Sequence, residues 1–271
     1  EPKGVTLIIS PWNYPFNLSF GPMIWSIAAG NTVILKPSEM TPAMSAVIQE
    51  IVEQAFDSRE VCVFQGDAEV ASYLTEQPFN HIYFTGSPAV GKQVMAAAAK
   101  NLASVTLELG GKSPVIVDQS ADLNKAAKSI CFGKLVNNGQ TCIAPDYVYV
   151  HSSVKDKLMS AMLKAIESLY GPLPKIASNP DYCRVVNQSH YQRIKSLLDN
   201  AEEQGAKIFF GGETNDQQRF IAPTLLTDIP PESDIMQQEI FGPLLPVMEF
   251  EDIATVIDQV NNNPKPLALY V

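Results

Sequence analysis

Gly4-Val5-Thr6-Leu7-Ile8-Ile9-Ser10-Pro11-Trp12-Asn13-Tyr14-Pro15 decides the fold, together with Thr32-Val33-Ile34-Leu35-Lys36 further on. The opening run is aliphatic and β-branched without alternation, the pattern of a strand buried on both faces. Pro11 and Pro15 bracket a rigid turn. An apolar helix is expected over residues 18–29, closed by Gly30-Asn31 before the second buried strand. Strand, helix and strand with short connections make a βαβ unit, which brings parallel strands and a right-handed crossover.

The same alternation continues outward. Thr41-Pro42 opens a helix over residues 42–56, with Thr41 as cap and Pro42 at the first helical position. Strands are expected over 61–65, 81–84 and 105–109, with helices over 68–75 and 88–101 between them. Ligands in such sheets bind beyond the carboxyl ends of the strands. Asn13, Lys36, Glu39, Gly86 and Ser87 all fall at such ends. Gly110-Gly111 is a natural boundary, and beyond it the alternation restarts. Strands are expected over 114–117, 146–151, 207–210, 224–226 and 245–250, and helices over 123–136, 154–170, 188–204 and 253–261.

Composition narrows the function. At 46% hydrophobic and 18% charged residues the chain of 271 is ordinary globular material, long enough for one large or two modest domains. A formal charge of -10 argues against nucleic acid and anionic membranes as main partners. No stretch approaches the roughly eighteen consecutive apolar residues of a membrane span. The cysteines Cys62, Cys131, Cys142 and Cys183 are scattered, without a C-x-x-C pair or a histidine cluster. That pattern points to thiols in a cytoplasmic setting and to no metal site. Glu1 opens the chain, and Leu267-Ala268-Leu269-Tyr270-Val271 reads as a strand that stops without a turn. The sequence is therefore expected to be cut from a longer chain at both ends.

Several residues could carry chemistry. Cys142 lies after a helical run and the turn Asn137-Asn138-Gly139, and before the strand Tyr147-Val148-Tyr149-Val150. It reads either as a small buried hydrophobe or as a nucleophile presented to a cleft, which would act as the thiolate. Glu108 ends a buried-looking strand. It is either a general base in an apolar cleft or a partner for Lys112. Asn13 is a turn residue or a fixed amide donor. Lys36 and Glu39 are surface charges or a pair suited to ribose hydroxyls. Gly86-Ser87-Pro88-Ala89-Val90-Gly91-Lys92 has the outline of a phosphate loop. Gln93, however, stands where the metal-binding Ser or Thr belongs, and the standard G-x-G-x-x-G spacing is missing. The histidines His81, His151 and His190 fall in no catalytic pattern.

Taken in order, Pro11-Trp12-Asn13-Tyr14-Pro15, Lys36-Pro37-Ser38-Glu39, Phe84-Thr85-Gly86-Ser87, Leu107-Glu108-Leu109-Gly110-Gly111-Lys112, Gly139-Gln140-Thr141-Cys142 and Glu239-Ile240-Phe241-Gly242-Pro243 resemble the signature set of the aldehyde dehydrogenase superfamily. The wording Thr141-Cys142-Ile143-Ala144-Pro145-Asp146-Tyr147 is most similar to its class 3 branch, which includes fatty and aromatic aldehyde dehydrogenases.

The resemblance implies an α/β fold: a Rossmann-like parallel sheet cofactor domain over residues 1–108, plus a second α/β catalytic domain over 109–271. It also implies NAD or NADP as cofactor, a small aldehyde as substrate, and a homodimer or higher homo-oligomer. Cys142 would attack the aldehyde, and the Asn13 amide with the Cys142 backbone N–H would hold the oxyanion. Glu108 would activate water against the thioester. Trp12, Lys36, Glu39, Gly86, Ser87 and Gly91 would serve the cofactor, with Glu239 and Phe241 on its nicotinamide side. Glu39 would repel a 2′-phosphate and so favour NAD. These roles require a sulfur, a carboxylate and an amide to meet around one carbonyl. Two other outcomes fit the same residues: a CoA-acylating aldehyde dehydrogenase, in which Glu108 would have little use, and a catalytically silent piece of the fold. A nucleotide-phosphate hydrolase fails for want of a hydroxyl after Lys92.

Overall fold

The computed structural model describes residues 1–271, and these divide into two units, Glu1–Leu109 and Gly110–Val271. In the first unit the elements run β1 (Val5–Ile9), α1 (Pro15–Ala28), β2 (Thr32–Lys36), α2 (Pro42–Ala55), β3 (Val61–Val63), α3 (Ala68–Thr75), β4 (His81–Gly86), α4 (Pro88–Ala99) and β5 (Ser104–Leu109). The five strands are parallel in the order β3-β2-β1-β4-β5. This is the dinucleotide-binding order, and the winding reverses between β1 and β4.

Side-chain alternation explains how that sheet is held. Leu7 and Ile9 of β1 pack with Leu74, Ile82, Phe84, Val94 and Ala98 on the α3–α4 face. Ile8 packs with Met23, Val33, Leu35, Ile48 and Val52 on the α1–α2 face. Each fully buried Leu or Ile contributes about 1.5–3 kcal/mol relative to exposure, so both layers of helices are held through one strand. Gly91 lets α4 lie close to β5: a Cβ there would stand 2.8 Å from Leu109 Cδ2. Helix α1 begins at Pro15, three residues before the expected start, because Pro suits the first helical position. Thr41 occupies the cap position of α2 but makes no side-chain capping bond.

The second unit runs β6 (Pro114–Val117), α5 (Leu123–Leu135), a 3₁₀ turn (Val136–Gly139), β7 (Tyr147–His151), a 3₁₀ turn (Ser152–Val154), α6 (Lys155–Tyr170), α7 (Leu173–Ile176), α8 (Gln188–Glu203), β8 (Lys207–Phe210), β9 (Thr214–Asn215), β10 (Phe220–Ile221), β11 (Thr224–Thr227), α9 (Asp234–Gln237), β12 (Leu244–Phe250) and α10 (Ile253–Asn261). Its sheet has the order β6-β7-β12-β11-β8, parallel except for the antiparallel β8. Helices α5 and α6 cover one face through Val115, Val148, Val150, Leu245 and Val247. Helix α8 covers Ile221, Leu226 and Leu244. The expected strand over residues 267–271 reduces to a parallel bridge of Tyr270 with Val115. No helix is long and apolar enough to cross a membrane.

Candidate active site

Cys142 sits at the corner of a turn that is pinned on both sides. Helix α5, capped by Asp122 accepting from the amides of Asn124 and Lys125, ends in the 3₁₀ turn. There Asn137 and Asn138 take left-handed backbone (φ 50° and 59°) and Gly139 follows at φ 73°. Asn tolerates that region and Gly adopts it freely, so this residue choice reverses the chain cheaply. Gly139 is also required by space, since a Cβ would collide with the Gly242 carbonyl oxygen.

Gln140, 3% exposed, then ties the turn down. Its Nε2 donates to the carbonyls of Asn137 (3.0 Å) and Arg184 (3.2 Å), and its Oε1 accepts from the Val186 amide at 2.9 Å. The Ala144 amide donates to the Thr141 carbonyl at 2.9 Å, closing a β-turn with Cys142 as its first corner residue. At the other corner the Tyr270 hydroxyl donates to the Ile143 carbonyl at 2.5 Å, and beyond the turn the Asp146 amide donates to the Ser113 carbonyl. Burial, then the charge of a Cys142 thiolate, raise the Tyr270 phenol above its ordinary range, so it remains a donor. Cys142 itself is half-buried, and all four cysteines are thiols.

Buried charge lies behind this turn. Lys134 is 2% exposed, on the stripe of α5 shared by Ala127, Ile130, Cys131 and Leu135. Desolvation above all, with the Lys112 charge acting the same way and Asp146 and Glu239 opposing, brings its ammonium down to about 8. Asp146 pairs with Lys112 and, through its other oxygen, accepts from the Ile240 amide at 2.9 Å. The Glu239 carboxylate fills the space a Cβ on Gly110 would need. Burial raises the Glu239 carboxyl above its ordinary range and Asp146 adds to this, against the Gly111 amide, Arg193 and Lys112. Phe241 is held at φ 47°, left-handed backbone that an aromatic residue adopts only when its surroundings dictate it.

In the first unit the strand ends present the other candidates. The Ser10 amide donates to the Lys36 carbonyl at 3.1 Å, and Ser10 Oγ shares a 2.7 Å hydrogen bond with Ser19 Oγ in α1. These bonds fix both ends of the half-buried segment holding Trp12 and Asn13. Lys36, 3% exposed, donates through Nζ to Glu39 Oε2 at 2.8 Å. Partial burial raises the Glu39 carboxyl, but the Lys36 hydrogen bond and charge and a backbone amide outweigh it, so Glu39 ends below its ordinary range. Lys36 and Glu39 are therefore joined as an ion pair at the carboxyl end of β2.

Gly86 closes β4, and Ser87 caps α4 by accepting from the Val90 amide at 3.4 Å. Gly91 and Lys92 fall inside α4, with Lys92 exposed, so the phosphate-loop outline is a helix start and not a loop. Glu108 corrects an expectation. It is exposed, not buried, because period-two alternation on the edge strand β5 sends Val105, Leu107 and Leu109 into the core and leaves Ser104, Thr106 and Glu108 on the other face. Its suggested partner Lys112 is instead bound to Asp146.

A sheet wound 3-2-1-4-5, joined in sequence to a second α/β unit that holds a cysteine on a clamped turn, defines the class. Residues 1–271 match the aldehyde dehydrogenase family, and the chain belongs to it. Over all of its 271 residues it is 49% identical to 4,4′-diaponeurosporen-aldehyde dehydrogenase of Staphylococcus aureus and 46% identical to aldehyde dehydrogenase family 3 member A2 of Rattus norvegicus. It is 45% identical to the dimeric NADP-preferring aldehyde dehydrogenase of the rat. It spans 58%, 54% and 58% of those proteins' lengths. The substrate-bound structure of Staphylococcus aureus AldH superposes with a TM-score of 0.95 at 48% identity, covering all of this chain and 58% of that one.

Proposed function

We propose that the protein oxidises an aldehyde to a carboxylic acid with NAD or NADP, through a covalent intermediate on Cys142. The observation that carries this reading is the clamped turn, which presents one thiol at its corner while Gln140 and Tyr270 hold the backbone on either side. The thiolate adds to the aldehyde carbon, and the Asn13 amide with the Cys142 backbone N–H stabilises the oxyanion. When bound, the nicotinamide cofactor supplies the hydride acceptor that turns the thiohemiacetal into a thioester. Glu108, exposed and so reachable by water, takes a proton from the water that cleaves the thioester and returns the thiolate.

Residues 1–108 serve as the dinucleotide-binding domain and 109–271 as the catalytic domain. The Lys36–Glu39 pair at the carboxyl end of β2 fits an adenosine ribose: an ionised carboxylate accepts from the diol, and the ammonium beside it can meet a 2′-phosphate. That combination supports use of both cofactors, in line with the NADP preference named for the rat relative. Gly86, Ser87 and the start of α4 suit the pyrophosphate, Trp12 borders the cofactor, and Gly91 acts by seating α4. The dimeric state named for that relative supports a homo-oligomer, and the scattered thiols suit the cytoplasm.

The test is NADH or NADPH formation with short, long and aromatic aldehydes, using the full natural protein. Cys142→Ala should lose both this activity and cofactor-free ester hydrolysis by at least about ten-thousand-fold. Unchanged rates would remove Cys142 as nucleophile, and acyl-CoA formed on adding CoA would move the protein to the acylating branch.

A further inference from the structure

The segment carrying Glu239 and Phe241 is held by charged side chains rather than by regular structure. Helix α9 is a single turn ending at Gln237, and β12 begins only at Leu244. Between them the peptide joining Glu239 to Ile240 is gripped at both ends. Arg193, from α8, donates through Nη1 to the Glu239 carbonyl at 3.1 Å, and Asp146 Oδ2 accepts from the Ile240 N–H at 2.9 Å. Arg193 Nη2 reaches the next carbonyl, that of Ile240, at 2.7 Å. Lys112 secures the approach by donating to the carbonyls of Ile235 (2.8 Å) and Gln238 (2.9 Å). A peptide plane bound on both its oxygen and its nitrogen cannot turn. It thereby sets the direction of the Glu239 side chain and the left-handed entry into Phe241.

We propose that Arg193 is a positioning residue for the cofactor side of the site, aiming Glu239 and Phe241 by fixing the backbone between them; this rests on the nicotinamide-side reading of those two residues. A guanidinium suits the task because one planar fork reaches two successive carbonyls, whereas a lysine offers a single point charge. The Arg193 guanidinium bonds to the carbonyls of Glu239 and Ile240, so its effect should fall on hydride transfer and not on acylation by Cys142.

The experiment compares Arg193→Lys and Arg193→Met in the full natural protein, reading kcat and cofactor KM for aldehyde oxidation beside cofactor-free ester hydrolysis and the melting temperature. Arg193→Met should lower kcat/KM for the cofactor by roughly a hundredfold, the cost of a displaced reacting geometry. Ester hydrolysis should remain near the parent rate and Arg193→Lys should fall between. Combined with Glu239→Gln, the defects should be less than additive, because both act on one group. Equal loss of both activities with a lowered melting temperature would make Arg193 a scaffold residue only, and an unchanged cofactor KM and kcat would also overturn the proposal. A parent protein with ester hydrolysis but no aldehyde oxidation would bring down the underlying reading and the proposal with it.

Discussion

The two sheets are built by different means. In the first unit, one buried charge, Lys36, stands in an otherwise apolar and hydroxyl-lined interior, and Leu102 is the only non-glycine residue with left-handed backbone. The second unit buries Lys134 and Asp146 and holds Asn137, Asn138, Arg219, Asp228 and Phe241 at positive φ. Both charges lie beside the Cys142 turn and the Glu239–Phe241 segment, and Asn137, Asn138 and Phe241 lie in them. On the proposed reading, binding a dinucleotide asks for strand ends and a helix start, which a regular sheet provides. Holding a reacting sulfur would ask for backbone that cannot relax, and around Cys142 charge and strain replace regularity.

Glu108→Gln tests that contrast most severely, because it asks whether the regular unit also takes part in bond-breaking. Steady-state turnover should fall about 10²–10⁴-fold, with one turnover of NADH retained and thioester accumulating on Cys142. Normal turnover would remove Glu108 as the base and leave Asn13 as the first unit's one part in the chemistry.

The next effect concerns the cost of buried charge. Lys134 titrates near 8 when folded, well below an unfolded lysine, so the unfolded chain binds more protons between those values. Stability should therefore rise with pH, starting near pH 8 and levelling off near the ordinary lysine value, by on the order of 3 kcal/mol from this group. The penalty is fully present below pH 8. Urea unfolding of the parent and of Lys134→Met across that window should differ by this slope; parallel curves would show that Lys134 is not a charged group forced into the interior.

The smallest effect belongs to the regular unit. Glu39→Gln should improve NADP relative to NAD by roughly 1 kcal/mol, about fivefold, since the lost carboxylate is partly exposed and screened. Ratios of kcat/KM for the two cofactors measure it, and an unmoved ratio would separate Glu39 from the ribose.

Legibility in sequence follows the same division. Strands β1 to β5 and their helices were readable because the inner strands are apolar on both faces and most of the turns carry a Pro or Gly. In the second unit the single-turn helices α7 and α9 and the β9–β10 hairpin were missed, since each is shorter than any hydrophobic period. The functional partners were missed for another reason. Arg193 meets residues 46 and 47 positions away, and Asp146 meets one 94 away, so local pattern says nothing about them. Lys134 did leave a signal: it falls at the i+7 position of the stripe begun by Ala127 and continued by Ile130 and Cys131, where a lysine has no ordinary reason to be. Glu108 left one too, in the alternation of Ser104, Thr106 and Glu108.

The phenol that steadies Ile143 reaches it across 127 positions of chain. During synthesis the neighbour of Cys142 therefore waits without that bond until nearly the whole second unit has left the ribosome, and loop closure over such a span is slow. The setting of the Cys142 turn is therefore finished from a residue remote in sequence, late in the folding of this unit.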